Sequence, residues 1–282
     1  MSTDLRRMAV GEVALAIRQR QTPGTPRLFI HGSLEDHRGW DEVVAALPVD
    51  VPWVVYDRRG HGASTNMTGQ GRLSQDVEDV ARLIEQLGKG PIHVVGHSYG
   101  ANVAIALAGR FRKGVKSLVL YEPPVFGLLR GVPEVAKPLR AAQRSMGEAK
   151  SLIEEGALER GTKHFVEEVA FGTGSWGALL DANARGRMLA HADTWLDQAR
   201  DPERFDIDVT TLGTLRNASG NSVVTLVSGA ASLATFRGVV SQIRSRVPTV
   251  RHVEIPGAGH GAPLSHPVEF AAVIEAHVRR LR

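Results

Sequence analysis

Along most of the chain, short unbroken apolar runs alternate with longer stretches in which apolar residues recur every three or four positions. The runs are "RLFIHG" (27–32), "WVVYDRRG" (53–60), "IHVVGHS" (92–98), "SLVLYEP" (117–123), "SVVTLVSG" (222–229) and "VRHVEIPG" (250–257). Rich in Val, Ile and Leu, they predict strands buried on both faces. Helical spacing fills residues 38–47, 73–87, 99–112, 234–245 and 267–281. Strands that alternate with helices build βαβ units, so the pattern predicts an α/β fold: a mostly parallel central sheet flanked by helices. "VALAIRQR" (13–20) reads as an outer strand of a hairpin.

One segment breaks the rhythm. Between about 125 and 205 only helical periodicity is present, as in "EVAKPLRAAQRSMGEAKSLIEEG" and "ALLDANARGRMLAHADTWLDQAR". This predicts a helical cap over 125–205 inserted into a core made of 1–124 and 206–282. A cap over the carboxyl ends of a parallel sheet shapes a pocket, and Phe165, Phe171, Trp176, Met188 and Trp195 are its large apolar candidates. The same residues could equally fill the cap's own core.

Composition narrows the picture. A chain of 282 residues suits one domain plus an insertion, and 43% hydrophobic with 23% charged residues is the balance of a globular protein. With no cysteine, disulfides, thiolate metal sites and a cysteine nucleophile are excluded. The net charge of +4 comes from scattered basic residues with no basic and aromatic stripe, which argues against a nucleic-acid partner and leaves a small-molecule substrate. No apolar run reaches membrane-spanning length and the N-terminal stretch lacks a secretory pattern, so a cytoplasmic location is expected. No paired-ligand spacing points to a metal, and no cofactor is expected. "GTGSWG" (172–177) matches a dinucleotide fingerprint in letters alone, because it follows a helical pattern and not a strand.

The chemistry must come from Ser, His and carboxylates. In "GHSYGA" (96–101) a serine sits between two glycines at a strand-to-helix junction. A sharp turn there holds the hydroxyl out toward substrate and demands small neighbours, which makes Ser98 the candidate nucleophile. The Tyr99 N–H, at the start of the following helix, and the Ser33 N–H, in the turn of "RLFIHGS", are candidate oxyanion donors. "VEIPGAGHGAP" delivers His260, the candidate base, on a loop after the last strand. His37 and Trp40 follow the "HGS" turn closely enough to touch substrate, and Trp176 and Trp195 could do so from the cap. Of the other histidines, His31 and His61 belong to glycine-rich turns, His97 fills the variable position beside Ser98, and His93, His252 and His277 read as satisfied structural groups.

The order "HGS", "DRRGHG", "GHSYG", helical segment, "GAGHGAP" resembles the α/β-hydrolase fold superfamily over nearly the whole chain. It is more similar to the small cofactor-free esterase, lactonase and perhydrolase branch than to the large lipases. The resemblance implies Ser98 as nucleophile, His260 as base and the amides of Ser33 and Tyr99 as oxyanion hole. In the family pattern the acid follows the strand that here reads "SVVTLVSGAAS", where Gly229, Ala230, Ala231 and Ser232 offer no carboxylate. Glu122, past the strand that follows the nucleophile helix, is the replacement candidate, since some members carry the acid there. It could instead anchor the entry to the cap. Asp57 reads as a loop anchor, and Asp206 and Asp208 lie at the cap boundary.

The resulting expectation is a serine hydrolase of a carboxylic ester, lactone or thioester, working through an acyl-enzyme. A non-hydrolytic enzyme of the same fold with a modified triad, and a non-catalytic ligand-binding member, stand as alternatives.

Overall fold

The computed structural model describes residues 4–67, 69–205 and 207–281. Its elements run in the order β1 (Arg6–Val10), β2 (Val13–Arg20), β3 (Arg27–Ile30), α1 (Asp41–Ala46), β4 (Trp53–Tyr56), α2 (Leu73–Leu87), β5 (Ile92–His97), α3 (Tyr99–Arg110) and β6 (Val115–Tyr121). Then come α4 (Ala136–Glu154), α5 (Leu158–Phe165), α6 (Ser175–Ala178), α7 (Ala182–Ala190) and α8 (Ala192–Arg200). The chain closes with β7 (Val224–Gly229), α9 (Ala234–Arg246), β8 (Arg251–Ile255), α10 (Ala262–Ser265) and α11 (Pro267–Arg279).

These strands form one eight-stranded sheet in the order β1-β2-β4-β3-β5-β6-β7-β8. The β1–β2 hairpin and the β2–β4 pair are antiparallel, and every pair from β4 onward is parallel. Every residue of β3, β4, β5 and β7 is buried, as their continuous apolar runs require of strands covered on both faces. Helices α2, α3 and α9 pack one core on one face, around Val80, Val103 and Val239. On the other face α1 and α11 pack a second core around Val43, Trp40 and Phe270. The order reverses at β3, whose neighbours β4 and β5 lead away on opposite sides, and this switch point opens a crevice at the carboxyl ends of the strands.

Two buried ion pairs fix helices to the sheet. Arg27 on β3 holds Glu275 on α11 through Nε and Nη2, both at 3.0 Å. Arg58, just after β4, reaches Asp76 on α2 at 2.8 Å and the Gly32 carbonyl at 2.9 Å.

Between β6 and β7 every described regular element is helical, and its apolar residues form a third core around Ile153, Phe165, Trp176 and Trp195. Helices α7 and α8 and the residues between and just after them are tied to the sheet's loops. His191 donates from Nδ1 to the Leu34 carbonyl (2.9 Å) and accepts at Nε2 from the Gly62 N–H (2.9 Å). Thr194 Oγ1 donates to the Gly60 carbonyl at 2.9 Å, and Asp201 accepts from the Leu73 N–H at 2.7 Å.

Where α3 crosses β3 the two backbones pack tightly. A Cβ on Gly100 would stand 2.1 Å from the Ile30 carbonyl oxygen and 2.6 Å from that of His31, both rigid backbone. Gly100→Ala is therefore expected to cost about 1–3 kcal/mol through forced backbone shifts and to lower the thermal midpoint by several degrees. Gly186→Ala, inside α7 with nothing within 4 Å of its added Cβ, should leave the midpoint unchanged or raise it. Thermal scans of both variants check the contrast.

Candidate active site

Strand β5 hands directly to α3 with Ser98 between them, its backbone forced to φ 53° and ψ −125°. Three described non-glycine residues have positive φ, namely Leu34, Ser98 and Glu122; Leu34 and Ser98 line one small pocket with His260, and Glu122 bonds that histidine from behind. Residues held in such rare conformations persist where the surroundings over-determine them, and they concentrate at functional sites.

Side chains join these points into one line. Ser98 Oγ lies 2.9 Å from His260 Nε2, and His260 Nδ1 lies 2.8 Å from Glu122 Oε2. A carboxylate can only accept, so Nδ1 carries the proton and Nε2 is left as the acceptor facing the serine hydroxyl. The second Glu122 oxygen accepts the Gly229 N–H at 2.8 Å. The end of β7 that lacks an acid thus supplies an amide to the acid on β6. A Cβ on Gly229 would meet the Ala258 carbonyl at 2.3 Å and Tyr121 Oη at 2.7 Å, so the turn closes against the His260 loop only with glycine there.

Burial holds His260 below the ordinary imidazole range; the charge of His97 pushes the same way, and the hydrogen bond to Glu122 opposes both. The Phe236 ring from α9 stacks on His260 with centroids 3.7 Å apart and planes at 15°.

Behind the histidine is a second ionic pair. His97 Nδ1 faces Glu35 Oε2 at 3.2 Å and Nε2 faces the His260 carbonyl oxygen at 2.9 Å. Both partners are acceptors, so both ring nitrogens donate and His97 is an imidazolium. Burial alone would depress its pKa, yet the Glu35 carboxylate outweighs burial and raises it, while His97 in turn holds Glu35 low. Glu35 also accepts the Gly32 N–H at 2.8 Å, pinning the turn that carries Ser33 over the site. At that turn a Cβ on Gly32 would stand 3.1 Å from the Ser98 Cβ.

Ser33, Ser98, Tyr99, Trp195 and His260 all line one cavity of about 340 Å³, roofed by the helices between β6 and β7. The Tyr99 N–H lies in the first turn of α3, where amides lack an intrahelical acceptor and suit a developing negative charge. The Tyr99 ring itself is buried under Arg58, with its hydroxyl donating to the Gly71 carbonyl at 3.3 Å.

Three expected substrate contacts lie elsewhere. His37 is buried with its Nδ1 donating to Asp57 at 2.7 Å. Trp40 is 1% exposed, between Phe29 and Phe270 in the core under β3. Trp176 is 4% exposed in the core of the helical segment. In each case helical or turn geometry directs the side chain into packing, and proximity in sequence to the "HGS" turn did not carry His37 or Trp40 to the cavity. Asp57 braces loops through the N–H groups of His37 and Ala63. Asp208 caps its own turn at Thr210, and Asp206 lies outside the described residues. Asp36, His37 and Asp57 are close enough to hold a cation, but N–H groups of His37, Arg38 and Ala63 already occupy their oxygens.

The sequence did not point to Glu35, His97 and Phe236, which pack around His260, nor to Asn102, which lines the cavity. Only Asn102 carried a signal: it stands four residues after Ser98, hence on the same face of α3, in an otherwise apolar helix.

A family model described as the alpha/beta hydrolase family matches residues 28–273. The chain belongs to the alpha/beta hydrolase family. Among curated proteins it is 26% identical over 272 residues to Lipase LipV of Mycobacterium tuberculosis, covering 92% of this chain and 96% of that one. It is also 29% identical to a 2-(acetamidomethylene)succinate hydrolase of Mesorhizobium japonicum, over 40% of this chain and 41% of that protein. Among solved structures, a thermophilic esterase from Thermogutta terrifontis superposes with a TM-score of 0.69 at 22% identity, covering 99% of both chains. At that identity the superposition establishes the shared fold. This alpha/beta hydrolase is a hydrolase-type enzyme, and no helix among its described residues is long and apolar enough to cross a membrane.

Three outcomes follow from the geometry. Glu122→Gln replaces the acceptor that fixes the His260 tautomer, and should slow fluorophosphonate labelling of Ser98 by about 10²–10⁴-fold; a change within a few fold would remove Glu122 from this role. Because His260 is held low, its neutral form persists below pH 6.5. The labelling rate should therefore rise with pH, reach half its plateau below pH 6.5 and stay flat above. Phe236→Ala, which opens the ring face to water, should move that midpoint upward, and labelling rates from acid to neutral pH check both signs.

Proposed function

We propose that the protein hydrolyses a carboxylic ester, lactone or thioester of a small organic substrate through a covalent acyl-enzyme on Ser98. The observation that carries this reading is the unbroken line from Glu122 through His260 to Ser98, at 2.8 and 2.9 Å, opening on the cavity. His260 Nε2 takes the hydroxyl proton as Ser98 Oγ attacks the carbonyl carbon, and the oxygen that gains charge rests on the amides of Ser33 and Tyr99. The imidazolium, stabilised by Glu122, then returns that proton to the leaving alkoxide or thiolate as the acyl C–O or C–S bond breaks. Water, deprotonated by the same nitrogen, attacks the acyl-enzyme; the acid leaves and the proton goes back to Ser98. No step requires a cofactor.

In this reading the helices of residues 125–205 act as a cap that roofs the pocket and selects the substrate. The names of the relatives, a lipase and an esterase among them, agree with ester chemistry. The reading with a modified triad arose from the missing acid after β7, and Glu122 in hydrogen-bond contact with His260 takes away its motive.

Incubation with a fluorophosphonate followed by intact-mass measurement tests the mechanism. One adduct on the parent and none on Ser98→Ala is the expected result. An adduct on both, or on neither, would overturn Ser98 as the activated nucleophile.

A further inference from the structure

Ser98 stands between two spaces of unequal size. One is the cavity of about 340 Å³ already described, and the other is a recess of about 20 Å³. Ser33, Ser98, Phe165, Ala170 and His260 line both, so the reacting atoms sit at the junction. Phe236 lines only the large cavity and Phe171 only the recess, with ring centroids 3.7 and 5.9 Å from that of His260. An ester carbonyl attacked by Ser98, with its oxygen on the Ser33 and Tyr99 amides, leaves two substituents to place, one for each space.

The recess is also lined by Leu34, Val166 and Met188, all buried, and by Glu35 and His97, which face each other at 3.2 Å. One water needs about 10–15 Å³ of such space, so 20 Å³ admits a group of about methyl size. A longer group would overfill it and force close-packed neighbours off their rotamers.

The two spaces differ in their route to solvent as well. Every residue lining the recess is buried or half-buried, whereas the exposed Arg130, Gln143 and Gly147 line the large cavity. This difference assigns the two halves of an ester. Once the C–O bond breaks, the alcohol must leave before water takes its place beside His260 Nε2, and the large cavity gives it a way out. An alcohol in the recess would have to pass the acyl group still tethered to Ser98.

We infer that the recess is the acyl site and limits the acyl group to acetyl, so that the substrate is an acetic ester of a much larger alcohol. This rests on the ester-hydrolase reading above and adds the substrate class. Ser98 Oγ bonds the acetyl carbon as the alcohol departs with the proton from His260. Water then supplies the hydroxyl of acetic acid and the proton that restores Ser98.

Hexyl acetate, butyl butanoate and methyl heptanoate test it on the whole chain, because they are isomers that differ only in where the carbonyl stands. The kcat/KM for hexyl acetate is expected to lead each of the others by at least about tenfold. Met188→Ala enlarges the recess and should raise butyl butanoate relative to hexyl acetate by at least about fivefold. Val166→Ala should move the ratio the same way, and fluorophosphonate labelling of Ser98 confirms that each variant keeps a folded site. Butyl butanoate equal to hexyl acetate overturns the size limit, and methyl heptanoate in the lead overturns the acyl assignment; both leave ester hydrolysis standing. An unchanged ratio in variants that label normally removes the recess as the filter. No turnover of any isomer by a protein whose Ser98 is labelled overturns the acetyl class alone, whereas no turnover and no adduct remove the hydrolase reading and the inference with it.

Discussion

Everything at the carboxyl edge of this sheet is arranged around one buried carboxylate. Glu122 ends β6 in a left-handed conformation, with its own N–H donating to the Val227 carbonyl of β7 at 3.1 Å. Its two oxygens then take the Gly229 N–H and the His260 ring. A charge with no exposed surface persists only when its lone pairs are matched, and here the matching groups come from the end of β7 and the loop after β8. The loop after β7 completes the clamp, since the N–H groups of Ala230 and Ala231 donate to the carbonyls of Ile255 and Ala258. The turn after β7, which carries no carboxylate of its own, thus supports both the Glu122 carboxylate and the loop that carries His260.

The second pair, Glu35 with His97, favours a positive charge next to His260, with a compensating negative one beyond it. With His260 neutral, the buried set of Glu35, Glu122 and His97 carries a net single negative charge. Arrival of a proton on His260 neutralises it, so the low-dielectric surroundings resist the free imidazolium while the nearby carboxylates favour it when a proton is transferred. Burial first, and the charge of His97 after it, hold His260 low, while the hydrogen bond to Glu122 opposes both.

The glycine-rich loop after β4 and the helical segment form one unit. Gly60 approaches Thr194 so closely that a Cβ would stand 2.4 Å from its hydroxyl. His31, His61 and His191 meet edge-on and tilted beside this contact, each below the ordinary imidazole range chiefly because of burial. Their Nδ1 atoms donate to the carbonyls of Gly32, Arg59 and Leu34, so the cluster is a neutral packed contact between the sheet's loops and the helical segment.

The sequence by itself determined the sheet, its flanking helices and the Ser98–His260 pair. Apolar runs with period-free burial and helices with 3.6-residue periodicity are local signals, and a glycine-bracketed serine between them is a local geometric necessity. Glu122 was legible as a candidate, because a strand end is readable, but its choice over a bare loop anchor needed the crossing of β6, β7 and the last loop in space. Tertiary packing alone sets His97 between two acceptors, lays Phe236 on His260, turns Trp40 and His37 into the core and brings Asn102 and Gln198 to the same cavity as Ser98. These residues lie far apart along the chain on elements whose relative placement no periodicity encodes, and charge, burial and hydrogen-bond satisfaction are properties of that placement.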